Sequence, residues 1–299
     1  MTNDKADKKL SIILPCLNES ATLPGLIEKL EARYPGAEII VVDDGSIPPV
    51  PATGSARILR HPKTIGNGAA IKTGVRNATG DYLVFMDADG QHDPADIQRL
   101  LQGFEQGFDM VVGARDPDTH ASMARRYANL AFNKLASVMT GFQIKDLTSG
   151  FRAARARPFR NFLYLLPNGF SYPTTSTMAF FRCGYSVDYV PIRASKREGQ
   201  SNIKIIKDGV RFLVLILRIG TLFSPMRLFL PVALALFAAG TGWYAYTYLA
   251  TSRFTNMSAV LYLSSMLTFL FGIVSEQISA LHYRYSEERR RHTDRPQQH

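Results

Sequence analysis

The chain has 299 residues, 46% of them hydrophobic and 20% charged, with a formal net charge of +10. That length holds one good-sized α/β domain plus an appendage. With no recognised nucleic-acid motif, the basic balance points to an anionic membrane face rather than to nucleic acid. The two cysteines, Cys16 and Cys183, lie far apart and lack metal-ligand spacing, which argues against a disulfide framework or a thiolate metal site and fits a reducing compartment. Met1 to Lys9 is polar and the apolar run after it is interrupted too soon for a secretory segment, so the amino-terminal domain is expected in the cytoplasm.

In chain order, Leu10 to Leu14 reads as a strand ended by Pro15, and Asn18-Glu19-Ser20 leads into a helix with Leu23, Leu26, Ile27 and Leu30 on one face. Glu38 to Val42 is a second strand and stops at Asp43-Asp44-Gly45-Ser46. Ile47 to Ser55 is a proline-rich loop, followed by a short strand at Arg57 to Leu59. Gly66-Asn67-Gly68 opens a helix closing near Gly80, and its glycines allow a backbone to approach a ligand closely. Lys72 on that helix reads equally as a diphosphate contact or a solvated lysine. Tyr82 to Met86 is a buried strand, then come Asp87-Ala88-Asp89-Gly90-Gln91-His92, a helix from Asp93 to Gln106 and a strand from Asp109 to Gly113. The alternation predicts an α/β fold with a mainly parallel sheet covered on both faces. In such sheets the carboxyl ends of strands line the ligand crevice, which sets Asn18, Glu19, Asp43 and Asp44 beside Asp87 and Asp89.

Residues two apart in a strand share a face, so Asp87 and Asp89 could aim at one hard cation, Mg²⁺ or Mn²⁺. Taken alone, the pair also fits a solvated turn or helix cap, and Asp43-Asp44-Gly45-Ser46 an ordinary Asp-Gly turn. His92 more naturally shapes this loop than binds metal, while His61, His120, His282, His292 and His299 read as structural or solvated.

Ser122 to Met139 has helical apolar spacing that suits a lipid-headgroup groove or ordinary core packing, with Arg125-Arg126 at its start. Thr148-Ser149-Gly150-Phe151 reads as a turn before a strand, and Ser186 to Ile192 as a strand. The basic stretch Lys196 to Ser201 is expected to be mobile and to close over a ligand. Ile203 to Ser224 mixes apolar runs with Lys204, Lys207, Arg211 and Arg218, a pattern for interfacial helices. Leu228 to Ala250 and Phe254 to Ser275 carry no charge and are each long enough to span a bilayer. Arg227 before them and Arg284, Arg289, Arg290 and Arg291 after them place both ends of this hairpin in the cytoplasm. The expected divisions are 1–202 for a cytoplasmic catalytic domain, 203–224 for interfacial helices, 225–280 for two transmembrane helices and 281–299 for a basic tail, disordered from Glu287 onward.

Six separated motifs carry a family resemblance over about the first two-thirds of the chain. Ile12-Ile13-Leu14-Pro15-Cys16-Leu17-Asn18-Glu19, Val41-Val42-Asp43-Asp44-Gly45-Ser46, Gly66-Asn67-Gly68 and Asp87-Ala88-Asp89-Gly90-Gln91-His92 resemble, in order and interval, family 2 glycosyltransferases. Lys145-Asp146-Leu147-Thr148-Ser149-Gly150-Phe151-Arg152 and Arg197-Glu198-Gly199-Gln200-Ser201 resemble the branch typified by dolichol-phosphate mannose synthase and bacterial polyprenyl-phosphate glycosyltransferases. The resemblance implies a Rossmann-like GT-A domain that binds a nucleotide-diphosphate sugar and a divalent metal. Position by position, Pro15, Leu17, Glu19 and Asp44 would contact the nucleoside, with Asn18, Asp43 and Ala88 in the same donor site. Asp87, Asp89 and Gln91 would surround the metal or diphosphate, and Arg115 would face the phosphates together with Arg197. Ser149 would sit near the acceptor. Two departures stand out: Ile47-Pro48-Pro49 replaces a frequent acidic residue, and Asn202 replaces a frequent lysine, leaving Lys204 as its substitute.

Transfer from a nucleotide sugar builds negative charge on the departing nucleoside diphosphate, which a carboxylate-held cation and basic side chains neutralise. Asp89 is central to that task. A phosphate monoester, with a second pKa near ~6, is already largely ionised at neutral pH and needs no dedicated base. It needs positive charge to hold it in line, and Arg115, Arg125, Arg126, Arg152 and Arg197 are the candidates. The expected function is transfer of one sugar, from GDP-mannose or a UDP-sugar, to dolichyl or undecaprenyl phosphate with inversion, with self-association left open. Transfer to another lipid or to a glycan hydroxyl, and a nonenzymatic membrane scaffold, are the competing readings. The lone tryptophan, Trp243, lies in the first span, so the Gln-x-x-Arg-Trp signature of processive polysaccharide synthases is missing.

Overall fold

The computed structural model describes residues 8–115, 123–169, 172–192, 221 and 224–293, with the backbone alone for 123–128, 251 and 282–293. The chain divides into two compact units, one of residues 1–136 and 142–202, the other of 137–141 and 203–299.

As far as β7 the chain runs β1 Leu10–Cys16, α1 Leu23–Arg33, β2 Glu38–Asp43, β3 Arg57–Arg60, α2 Asn67–Asn77, β4 Tyr82–Phe85, α3 Asp96–Glu105, β5 Met110–Arg115, α4 Met123–Thr140, whose last four residues belong to the second unit, β6 Arg152–Arg155, α5 Ala156–Asn161, α6 Tyr172–Arg182 and β7 Val187–Ile192. Its seven strands are ordered β3-β2-β1-β4-β6-β5-β7. All neighbours pair in parallel except β6, which is antiparallel to both β4 and β5. Pro15 does not end β1, which continues in register with β2 to Cys16 opposite Asp43. β4 has already stopped opposite Ile13, so no strand on that side requires the missing proline N–H.

One face of the sheet presents Ile12, Leu14, Ile39, Val41, Val84, Val111 and Ala153 to the buried stripes Leu23, Leu26, Ile27, Leu30 of α1 and Ile97, Leu100, Phe104 of α3. Spacings of three and four put each stripe on one helix face. Full burial of each such side chain contributes about 1.5–3 kcal/mol of transfer free energy. On the other face Phe85 meets Phe159 of α5 and Tyr172 of α6 at centroid separations of 4.6 and 6.3 Å. Helix α6 is buried from Tyr172 to Phe181 on every side. Its sequence carries no apolar stripe, and it was not foreseen.

In the second unit α7, Pro225–Thr251, and α8, Asn256–Thr293, form an antiparallel hairpin turned at Ser252 in the left-handed region. Met226 N donates to Glu276 (3.2 Å), Ser265 Oγ to Ala233 O (2.8 Å) and Tyr262 OH to Thr241 Oγ1 (3.2 Å), which fixes the pairing of the two helices. Pro225–Ala250 and Asn256–Leu281 are long and apolar enough to cross a membrane, and most of that surface, including Phe237, Trp243, Leu249 and Phe271, is exposed. Such a surface is consistent with a membrane anchor. The segment from Glu287, expected to be disordered, is helical to Thr293, because Glu and Arg are good helix formers and proline first returns at Pro296. The expected interfacial helices of 203–224 fall almost wholly outside the described residues.

Candidate active site

The carboxyl ends of β1, β2 and β4 converge, and their loops are tied to one another. Asp44 N donates to Cys16 O (2.9 Å), Asn18 N to Ser46 Oγ (2.9 Å), Ile47 N to Asn18 Oδ1 (3.0 Å) and Thr22 Oγ1 to Ala88 O (2.7 Å). Asn18, at φ +58°, takes the left-handed conformation that asparagine tolerates in such a corner.

Several residues expected to touch the donor are committed to these ties instead. Asp43, 1% exposed, accepts from Ser46 N (2.8 Å), Val50 N (3.3 Å) and Arg60 Nη1 (2.7 Å). Burial pushes its pKa up, but these hydrogen bonds and the Arg60 charge outweigh that and hold it below the usual carboxylate range. Asp44 is also buried, accepting from Ile65 N (3.0 Å), Gly66 N (2.8 Å) and the ring of His61 (2.7 Å), whose other nitrogen meets Thr73 Oγ1 (2.8 Å). Pro15 and Ala88 are buried as well. Asp43 and Asp44 thus brace the loops, with Pro15 near the end of β1 and Ala88 just past β4 in the same corner.

The glycines of α2 admit a close approach, but of the chain itself rather than of a ligand. A Cβ on Gly68 would lie 2.1 Å from Pro167 O, and one on Gly66, at φ +127°, 2.5 Å from Asn168 O. Gly68 N donates to Gly169 O (3.1 Å) and Ala69 N to Asn168 O (3.0 Å), so carbonyls of residues 168–169 cap this helix. Lys72 Nζ completes the dock, on Leu166 O (3.2 Å) and the Asn168 side chain. In the structure Lys72 is thus bound to oxygens of the chain itself.

β4 ends at Phe85, so strand alternation does not set the Asp87 and Asp89 side chains as expected. Asp89 Oδ1 accepts from Gln91 N (3.1 Å) in a turn, while Asp87 lies against Gly150, where a Cβ would stand 3.0 Å from its Oδ2. Both carboxylates and Gln91 are half-buried and reach the surface. Among the described residues no group of three or more His, Cys, Asp or Glu could hold a metal alone. Asp87, Asp89 and Gln91 carry oxygen donors of the kind a hard cation takes. His92 stacks on Phe151 at 4.9 Å, is 8% exposed, and burial pushes its pKa down to about 4. It shapes the loop as a neutral ring.

Arg115, at the end of β5, is gripped by Asp146: Nε to Oδ2 at 2.9 Å and Nη2 to Oδ1 at 3.1 Å, with Nη2 also on Thr148 Oγ1 (2.7 Å). Nη1 takes no part in these bonds. Asp146 further accepts from the backbone N–H groups of Arg115, Thr148 and Ser149. Asp146 went unassigned in the sequence, although an acidic residue two and three positions before Thr148-Ser149 is a turn signal. Arg152 is 0% exposed. It donates to Ser149 O, Pro173 O (2.8 Å), Ser176 Oγ (2.9 Å) and Thr177 Oγ1 (2.9 Å), a buried tether between β6 and α6. Ser149 is buried too, its hydroxyl on Phe151 O (3.4 Å). Arg125 and Arg126 begin α4, their side chains outside the described residues, as are Arg197 and Lys204. Among the expected site residues with described side chains, Leu17, 40% exposed, Asn18, Glu19, Asp87, Asp89, Gln91 and Arg115 are not buried.

A Rossmann-like sheet with a carboxylate pair just past its central strand, followed by an apolar hairpin, defines a GT-A-like glycosyltransferase domain with a C-terminal membrane-type appendage. The family model for Glycosyl transferase family 2 matches residues 11–163, and that for the GtrB C-terminal hairpin matches residues 224–281. The chain belongs to glycosyltransferase family 2. It is 28% identical over 294 residues to glycosyltransferase AglJ of Haloferax volcanii, covering 91% of this chain and 94% of that relative. It is 31% identical over 171 residues to an undecaprenyl-phosphate 4-deoxy-4-formamido-L-arabinose transferase of Aeromonas hydrophila, and there spans about half, 51%, of the relative's length. In fold it is similar to glucosyl-3-phosphoglycerate synthase from Mycobacterium tuberculosis in complex with Mn²⁺ and UDP-glucose, at a TM-score of 0.55 and 22% identity over 72% of this chain and 79% of that one.

Proposed function

We propose that this transferase moves a single sugar from a nucleoside-diphosphate sugar to a polyprenyl phosphate at the cytoplasmic face of a membrane, with inversion at the anomeric carbon. The observation that carries the proposal is the union in one chain of the family 2 domain with an apolar hairpin of the GtrB type. Relatives whose names specify undecaprenyl-phosphate sugar transfer support it. The arginines flanking the hairpin support the cytoplasmic orientation, and 1–202, 203–224, 225–280 and 281–299 remain the proposed functional divisions.

In this reading Leu17 and Glu19 meet the nucleoside, and Asp87, Asp89 and Gln91 would hold Mg²⁺ or Mn²⁺, whose charge offsets that of the departing diphosphate. Arg115, oriented by Asp146, offers its Nη1 edge to a phosphate. Arg125, Arg126, Arg197 and Lys204 supply further positive charge. The acceptor, already ionised, attacks without a protein base.

A second reading, transfer to an acceptor other than polyprenyl phosphate, has its own support. Arg152, one of the arginines on which lipid-phosphate binding rested, is buried and bonded within the chain. The fold is also shared with glucosyl-3-phosphoglycerate synthase, whose structures include phosphoglyceric acid. Supplying the full chain with radiolabelled GDP-mannose or UDP-sugars together with undecaprenyl or dolichyl phosphate and, in the same reaction, hydroxyl acceptors (another lipid or a glycan) separates the two. An organic-soluble, acid-labile labelled product is expected. Label appearing only in a water-soluble or acid-stable glycoside would establish the second reading.

A further inference from the structure

Two residues beside Asp87 have no part in the roles above. We propose that Tyr172 and Gly150 position the Asp87 carboxylate: the phenol fixes the Gly150 peptide against it, and the missing side chain at 150 leaves the carboxylate its place. The inference rests on Asp87 as a ligand of the metal and diphosphate.

Tyr172 is buried in the first turn of α6, and its OH donates to Gly150 O at 3.1 Å. A Cβ at Gly150 would stand 3.0 Å from Asp87 Oδ2, 3.6 Å from its Cγ and 3.4 Å from Tyr172 OH. Gly150 is not among the positive-φ glycines, so the backbone would accept alanine. The tight contact is with Asp87, whose carboxylate a Cβ would push by a few tenths of an ångström. The preceding peptide is tethered to the same turn of α6, since Arg152 bridges Ser149 O to Pro173 O, Ser176 and Thr177. The ring of Tyr172 packs on Phe85, the last residue of β4, with Arg152 over its face at 5.9 Å. Helix α6 thus holds, by separate bonds, both peptides of the wall behind the carboxylate. A cation that takes few protein ligands depends strongly on where each one stands.

Mn²⁺ binding to the full chain in detergent, followed by electron paramagnetic resonance with UDP and, separately, GDP, tests this without turnover. Wild type, Asp87→Asn, Gly150→Ala and Tyr172→Phe are compared, with thermal midpoints measured alongside. Gly150→Ala is expected to weaken nucleotide-dependent Mn²⁺ binding by ~10-fold or more, and Tyr172→Phe in the same direction, with both chains folded. Loss of binding in Asp87→Asn with wild-type binding in the other two would overturn the positioning role and leave the metal site standing. Wild-type binding in Asp87→Asn would remove the metal site and the inference together. Should Gly150→Ala not fold, Tyr172→Phe, which deletes a single oxygen, decides alone.

Discussion

Asp43 shows how far a side chain's surroundings can outweigh its type. Next to Asp44 it reads as an open acidic motif, yet three donors and near-complete burial make it a brace between β2 and its loop. Its folded-state pKa lies below the unfolded value, so its contribution is complete above the ordinary carboxylate pKa of ~3.9 and is lost as pH falls through the folded value. Asp43→Asn should therefore lower the thermal midpoint at neutral pH, and the gap to wild type should narrow on acidification below pH ~4. Melts across that range check it, and a constant gap would contradict the assignment. Arg152 teaches the same lesson with the opposite charge. Arginine is rarely fully buried, so sequence reading sent it toward a phosphate, and only packing shows it wrapped in carbonyls and hydroxyls. Asp87 and Asp89 were legible because two carboxylates closing an apolar run need no tertiary knowledge to be noticed. Tyr172 had no such signal, since its partner lies 22 residues away.

At the scale of elements, whatever carried a strong period was legible. β-branched runs gave β1, β2, β4 and β5, and spacings of three and four gave α1 and α3. β6 is four residues with two alanines, too short and too weak in β-propensity to announce itself, and its antiparallel insertion between β4 and β5 is a tertiary choice. Helix α6 is buried all round, so its Thr- and Ser-rich face had no polar side to contrast with. The glycines opening α2 were legible as a place of close approach, but the approaching backbone, residues 167–169, was not. Gly68→Ala puts a Cβ 2.1 Å from Pro167 O, which one or both segments must relieve by moving. Overpacking of this kind costs about 1–3 kcal/mol. Denaturant unfolding should show a loss in that range, and unchanged stability would mean that α2 and the loop are not docked.

For the molecule as a whole, catalytic domain and hairpin were both readable, because six separated motifs and two charge-free apolar runs are patterns too long to arise from local accident. The acceptor was less legible, since the basic groups proposed to hold it are spread among Arg115, α4 and the stretch around Arg197. The proposed function rests on a carboxylate pair at the carboxyl end of a sheet, which would handle a nucleoside diphosphate beside an arginine held in place by Asp146. The most direct measurement is turnover of a radiolabelled nucleotide sugar by the full-length Asp89→Ala chain, with folding checked by its thermal midpoint. A fall of at least ~100-fold with the midpoint preserved is expected. Wild-type turnover by that variant would contradict the account, because the charge of the leaving diphosphate would then be met somewhere else.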